Sequence, residues 1–545
     1  MKTIAIIGSI LFFSSCSVII KNQGFKNYKS EEIKTDKYRY ANKYQKDLLY
    51  LDDLCANCFP DIENVFPSRE QVRDSLLMAL ELPAVTENTF VGYARFYLSH
   101  FKNQHTSIGG LKSNILLPYI LYPANNSWYV WDINMGYDSL LIGKKILTLA
   151  GKPMQNIENS LYKYVFAENA VNQKQAIRLF LNRPDLLKQF GVIKQTDSVS
   201  LKTLGGEEIW VKSITRNEDI NFILDKNRYK ENTITERKNH NYDIALYPSE
   251  NYAYFQFNRC HDKIDTYETM PSYLRSWIIP FAKMYMNRQI RRKNSDKLQG
   301  FVDTERPVFK DYLEHMFDSV NTLGITNLIT NLIIDLRNNP GGSNLLCTQL
   351  LYYLTEREDI VDFSKYFYVS EGNKQLNKKR YDAFTKAYKQ EYNREPEMGK
   401  LYPNGFLNCD SLIFEQIENN ESAYYIPKHR SVFKGKIIVL ANSGTGSAAA
   451  LFTTTLQDNN IATIIGTSVG NNAIGATNFS PYKLPKTKFK GSVATGYLVR
   501  PKPENGMVQM PDYWVENSVE DLISGNDRLF GKALDLINES KIERR

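Results

Sequence analysis

Ser447 stands where an apolar run passes through a Gly-rich loop into small residues, in Lys436-Ile-Ile-Val-Leu-Ala-Asn-Ser-Gly-Thr-Gly-Ser447-Ala-Ala-Ala. That order reads as strand, loop and helix, which puts a hydroxyl at a helix start. Unpaired N–H groups and the positive end of the helix dipole stabilise negative charge there. A serine alkoxide, and the oxyanion it forms on a carbonyl carbon, both carry such charge. A second loop, Arg337-Asn-Asn-Pro-Gly-Gly342, also follows an apolar run. Paired glycines at a strand's carboxyl edge let backbone N–H groups face a ligand with no side chain in the way. In open α/β sheets ligands sit beyond that edge. A carbonyl oxygen held between the Gly341, Gly342 and Ala448 amides would occupy an oxyanion hole, where one such donor contributes about 3 kcal/mol to the transition state. Taken alone, each loop also has a plainer reading: Ser447 as a helix N-cap, and Asn-Pro with Gly-Gly as bare turn chemistry.

The elements that must position these loops alternate in type. Asn331-Leu-Ile-Ile-Asp-Leu reads as a buried strand, Leu346–Leu354 as helix and Lys436–Leu440 as strand; Ser447–Gln457 follows as helix and Ala462-Thr-Ile-Ile-Gly as strand. That rhythm predicts βαβ units and a mostly parallel, helix-covered sheet, hence an α/β fold. A polar, Tyr-rich insertion over about 356–434 reads as a lid or cap. Upstream, apolar spacing predicts a helical domain over 41–112. Short strands over 113–225 predict a β-rich domain, in which Gly143–Ile157 is a hairpin with a two-residue Ala-Gly reversal. The catalytic α/β domain then spans 226–535.

With 545 residues, 42% hydrophobic and 23% charged, the chain suits a multidomain globular protein and not a disordered or fibrous one. The densest basic run, Arg288–Lys297, has no interleaved aromatic residues and reads as a solvated loop, so no nucleic-acid partner is expected. Lys2, the apolar run Ile4–Phe13 and Ser14-Ser15-Cys16 read as a signal peptide over 1–16 with a lipobox-like end, followed by a polar tether over 17–40. Phe13 occupies a position where a lipobox prefers an aliphatic residue. This pattern predicts an exported protein of a bacterial cell envelope, held at the membrane through a lipidated Cys16. Cys55-Ala-Asn-Cys58 lacks the second ligand pair that zinc requires and reads as a local disulfide or two half-buried thiols. Neither a phosphate loop nor a His-rich cluster occurs in the sequence, so no metal and no organic cofactor are expected.

Asp335-Leu-Arg-Asn-Asn-Pro-Gly-Gly342 and Val439-Leu-Ala-Asn-Ser-Gly-Thr-Gly-Ser-Ala-Ala together resemble the two signature stretches of the tail-specific (C-terminal processing) serine proteases. Relatives of that family include the tricorn core protease and the interphotoreceptor retinoid-binding protein repeats. Weaker likenesses follow in order: Leu456-Gln-Asp, Ile464-Ile-Gly-Thr, and Pro511-Asp512 with Gly525-Asn-Asp527. Phe101-Lys-Asn-Gln-His-Thr-Ser-Ile resembles the Asp-x-His-Thr stretch of the tricorn-like branch, and Lys144–Ile157 its PDZ-like hairpin. The resemblance implies a ClpP/crotonase-like catalytic domain with a PDZ-like element, Ser447 as nucleophile, and the Gly341, Gly342 and Ala448 amides as oxyanion donors. Where one branch of the family has a basic lysine, this chain has Asn471-Asn472. The base implied is therefore His105, whose type suits proton transfer near neutral pH. Ala450 stands where the family commonly has glutamate, and Gln104 where the tricorn-like branch has serine. Glu504, in Arg500-Pro-Lys-Pro-Glu504-Asn, is the candidate acid to orient His105. Two functions follow from the resemblance: a serine endopeptidase acting on polypeptides, or an inactive relative that binds peptides or apolar ligands in the same cleft.

Overall fold

Alternate residues of the strand Asn331–Asp335 serve two different cores. Leu332 and Ile334 pack with the helices Phe309–Ile325, Asn344–Leu354 and Ala448–Asp458, while Ile333 packs with the helix Arg528–Ile542. A strand buried on both faces must be apolar throughout, which is how the sequence reads there. The computed structural model describes residues 28–30, 39–206, 208–215, 240–264, 279–293, 303, 305–326, 328–404 and 430–542. Cys16, the signal segment and most of the tether lie outside the described residues, as do Cys409 and residues 405–429 of the insertion.

The central sheet has the order Tyr242–Tyr247, Tyr252–Phe257, Asn331–Asp335, Lys436–Ala441, Thr463–Gly466, Tyr513–Trp514. Its first pair is antiparallel and every later pair parallel. With helices on both faces this is the α/β architecture expected. The β-rich region contains an antiparallel sheet of Tyr119–Ala124, Ser127–Ile133, Lys145–Leu149, Ser198–Thr203 and Glu208–Lys212 around its own apolar core. Ala150 and Gly151, both at positive φ, form the reversal between Lys145–Leu149 and Lys152–Pro153. Helices Lys43–Cys58, Arg69–Ala79 and Glu87–Ser99 make up most of the N-terminal region.

Four expectations need correction. The insertion is more than an appendage: its strand Ser364–Val369 pairs with Gly496–Val499, and Gly372 packs directly on Cys58 and Asn57. Residues 28–30 do not behave as tether, because Tyr28 is buried, donates to Asp53 and accepts from the Tyr50 hydroxyl. Cys55 and Cys58 are fully buried free thiols, and burial pushes both upward in pKa. Arg288 and Arg291 belong to the last turn of the helix Ile279–Arg291, whose apolar side buries Ala282 and Met286, so the basic run begins in helix and not in loop. Among the described residues no helix is long and apolar enough to cross a membrane.

Candidate active site

Two neighbouring parallel strands end at the same edge, and their loops are joined by side chains. The Asn442 amide oxygen accepts from the N–H groups of Asn338 (3.0 Å) and Gly444 (2.9 Å). Thr445 donates its hydroxyl to the Leu336 carbonyl at 2.8 Å, and the Gly446 N–H donates to the Asn339 carbonyl at 2.8 Å. Short polar residues suit this work because their side chains reach backbone groups a residue or two away. The loop 337–342 and the loop 442–447 are therefore bound directly to each other.

Ser447 adopts φ 48° and ψ −124° immediately before the helix Ala448–Asp458. Such a conformation costs a non-glycine residue roughly 1–3 kcal/mol and persists only where the surroundings enforce it. A strained strand-to-helix turn of this type presents a nucleophile at the sheet edge. Although Ser447 occupies the N-cap position, its side chain caps nothing. The plain capping role is thus vacant, and the half-buried hydroxyl has no hydrogen bond among the described residues.

The glycine loop lies directly against this turn. A Cβ on Gly341 would stand 2.6 Å from the Gly446 carbonyl oxygen and 2.7 Å from both the Ala448 nitrogen and Ser447 Cβ. A Cβ on Gly342 would meet the Cys260 carbonyl oxygen at 2.3 Å and His261 Nε2 at 2.7 Å. The three expected amides differ in availability. The Gly341 N–H is engaged, donating to Asn339 Oδ1 at 2.8 Å. Those of Gly342 and Ala448 have no partner among the described residues.

His105 follows the helix Glu87–Ser99 and precedes the short strand Ser107–Ile108, which pairs with Lys490–Val493. Its ring packs against Phe479, and its Nδ1 is buried without a hydrogen-bond partner. Burial, which penalises the imidazolium, lowers its pKa to about 4, so the ring is neutral at pH 7. No hydrogen bond joins His105 to Ser447 among the described residues; their loops are linked through a third one. Gln104 Nε2 donates to the Gly470 carbonyl at 2.8 Å, and the Ser447 N–H donates to Asn471 Oδ1 at 2.6 Å.

Glu504 is exposed on a single 3-10 turn braced by Asp458, and no hydrogen bond joins it to His105 among the described residues. The carboxylate that reaches this neighbourhood is one that sequence reasoning missed, Glu168. It accepts from Asn471 Nδ2 at 2.9 Å, from the Asn472 N–H at 2.8 Å and from the Gln104 N–H at 3.2 Å. Desolvation raises its pKa, and these donors oppose the shift. Ala450 is buried in the helix that Ser447 precedes. Beside Asn338, Asn442 and Ser443 a cavity of about 700 Å³ opens, walled opposite by Asn125, Asn126 and Arg178 of the β-rich region.

The family model described as Peptidase family S41 matches residues 298–492, which include both loops and Asn471 but neither His105 nor Glu504. The crystal structure of mature CPAF is similar with a TM-score of 0.58 at 15% identity, over 91% of this chain and 98% of that one. Mature CPAF complexed with lactacystin gives 0.59 at 16% identity, over 91% and 99%. At such identity the likeness establishes a shared fold. No curated protein matches the sequence. The sheet, the two joined loops and the matched residues 298–492 together give this chain a peptidase family S41 domain, and in this it resembles the tail-specific serine proteases.

Proposed function

We propose that the chain is an exported serine endopeptidase acting on polypeptides, with Ser447 as nucleophile and His105 as general base. The observation that carries this reading is the strained Ser447 turn, whose hydroxyl caps nothing and which lies beside two unpartnered N–H groups. Supporting it, His105 is neutral at pH 7 and so able to take a proton. In the reaction, Ser447 Oγ attacks the peptide carbonyl as its proton passes to His105. The Gly342 and Ala448 N–H groups stabilise the oxyanion. The C–N bond then breaks, the amine departs with the proton from His105, and water hydrolyses the acyl-enzyme by the same route in reverse. Catalytic contacts of this kind often tighten only when substrate is bound. Export and membrane attachment through a lipidated Cys16 belong to the same proposal and rest on the N-terminal sequence.

The test is labelling of the purified full chain with a fluorophosphonate probe. Labelling of the wild type, abolished in Ser447→Ala and in His105→Ala, is the expected result. An unlabelled wild type that still binds peptides would instead leave a peptide-binding relative. Attachment is tested separately by fatty-acid incorporation in cells, expected in the wild type and absent in Cys16→Ser.

A further inference from the structure

Glu168 comes from the segment between the 3-10 turn Tyr162–Tyr164 and the helix Ala170–Leu181 of the β-rich region, far in sequence from the loops it binds. One of its carboxylate oxygens, Oε1, accepts from Asn471 Nδ2 and from the Gln104 N–H, with Asn103 Nδ2 further off at 3.4 Å. The other, Oε2, accepts from the Asn472 N–H, and the Glu168 carbonyl accepts from Asn472 Nδ2 at 3.2 Å. The next residue, Asn169, donates its side chain to the Val469 carbonyl at 3.0 Å. Among the described residues no cation pairs with Glu168, so N–H donors alone satisfy its charge. Each donor lies next to the site: Gln104 precedes His105, and Asn471 holds the Ser447 N–H through its amide oxygen.

We propose that Glu168 is a positioning residue that fixes the His105 loop relative to the Ser447 turn, through Gln104 on one side and Asn471 on the other. The orientation of Asn471 carries the argument. Its amide must direct Nδ2 at Glu168 for Oδ1 to face the Ser447 N–H, because one end of the amide only donates and the other only accepts. An anion in front of Nδ2 therefore dictates which end meets Ser447. Without it the amide can turn over and present N–H to N–H, which releases the strained turn. This proposal rests on the reading of Ser447 as nucleophile and His105 as base.

The experiment measures the rate constant for fluorophosphonate labelling of the full chain, together with the probe's half-saturation and the melting temperature. Glu168→Gln keeps the shape but places an NH2 group among N–H donors, so the labelling rate is expected to fall about 100-fold while half-saturation stays within about threefold. Asn471→Asp sets two carboxylates against each other and is expected to fall at least as far. Combining Glu168→Gln with Asn471→Asp reverses the polarity of the pair: the amide now donates from the first position to a carboxylate at the second. The other oxygen of that carboxylate still accepts from the Ser447 N–H, so the rate is expected to recover about tenfold over Asn471→Asp alone. A purely structural role would not give that recovery. Should Glu168→Gln fail to fold, Asn471→Ala, which removes the bridge between Glu168 and the Ser447 N–H but leaves Glu168 its Gln104 and Asn472 N–H donors, is expected to show the same loss. Variants labelling within about threefold of wild type, or a double variant without recovery, overturn the proposal and leave the serine peptidase reading standing. An unlabelled wild type overturns both.

Discussion

In the proposed mechanism Ser447 needs a neutral imidazole, and burial sets the pH range over which His105 would supply one. An exposed histidine is half protonated near pH 6.5. His105, with its pKa lowered to about 4, keeps its lone pair into more acidic solution. The labelling rate is therefore expected to stay level from pH 7 down to about 5 and to be half lost near pH 4; a limb centred at 6.5 would mean an exposed ring. Stability follows the same sign. Because the folded pKa is the lower one, the unfolded chain binds the extra proton between pH 6.5 and 4, and this histidine's contribution is lost as pH falls through that window. Gly342 poses a different constraint. At φ 144°, with the Cys260 carbonyl 2.3 Å from where a Cβ would stand, the position tolerates no side chain without moving the loop. Gly342→Ala is expected to cost at least about 1–3 kcal/mol in a urea melt and to slow labelling more than it shifts half-saturation. Both glycines could be singled out in the sequence because a Gly-Gly pair at a strand's carboxyl edge leaves backbone N–H groups open to a ligand. That Asn339 claims the Gly341 N–H could not, since an asparagine two residues upstream accepts from a backbone amide in ordinary turns as well.

At the scale of elements, the strand–loop–helix unit around the site is held by a buried charge cluster. Arg337, at the start of the glycine loop, bonds Asp335 at the strand end and both carboxylate oxygens of Asp527 at 2.8 Å, and all three residues are buried. Asp527 immediately precedes the helix Arg528–Ile542, so this contact ties the glycine loop to the helix covering the sheet's other face. Removing one partner leaves an uncompensated buried charge, and Asp527→Ala is expected to lower stability by about 3–5 kcal/mol in a urea melt. Retention of wild-type stability would show that water replaces the carboxylate. The strands themselves were legible from sequence because burial on both faces demands an unbroken apolar run, as in Leu332–Ile334. The insertion was less so. Its strand Ser364–Val369 begins with polar residues and is completed by Gly496–Val499, a partner from beyond the helix Ala448–Asp458. Local composition shows such a strand's polarity but carries no mark of its partner.

Across the whole molecule, the proposed site draws on three regions: His105 from the N-terminal region, Glu168 from the β-rich region and Ser447 from the α/β sheet. The first and last are candidates that the sequence itself offers, because each sits in a patterned local stretch. Glu168 is not one of them, because a lone glutamate carries no sign of donors 303 residues away. Among the attachments that couple the N-terminal region to the rest, which include Asp47 to Lys486 and Thr487, two are of different kinds. One lies close to His105: the Ala494 N–H donates to Thr106 Oγ1 at 3.1 Å, and Ser107–Ile108 pairs with Gly491 and Ser492. The other is remote. Gly372 of the insertion packs so tightly on the end of the helix Lys43–Cys58 that a Cβ would stand 2.2 Å from Cys58 Sγ and 2.4 Å from the Asn57 carbonyl oxygen. Its φ is not in the left-handed region, so Gly372→Ala tests steric fit and not backbone strain. Overpacking of this kind costs about 1–3 kcal/mol, and the urea midpoint is expected to fall accordingly. Below the transition, however, the near attachment still holds the His105 loop. The labelling rate is then expected to stay within about twofold of wild type. A loss of labelling without loss of stability would reverse this order and show that the insertion, not the Ser107–Ile108 strand, sets the position of His105.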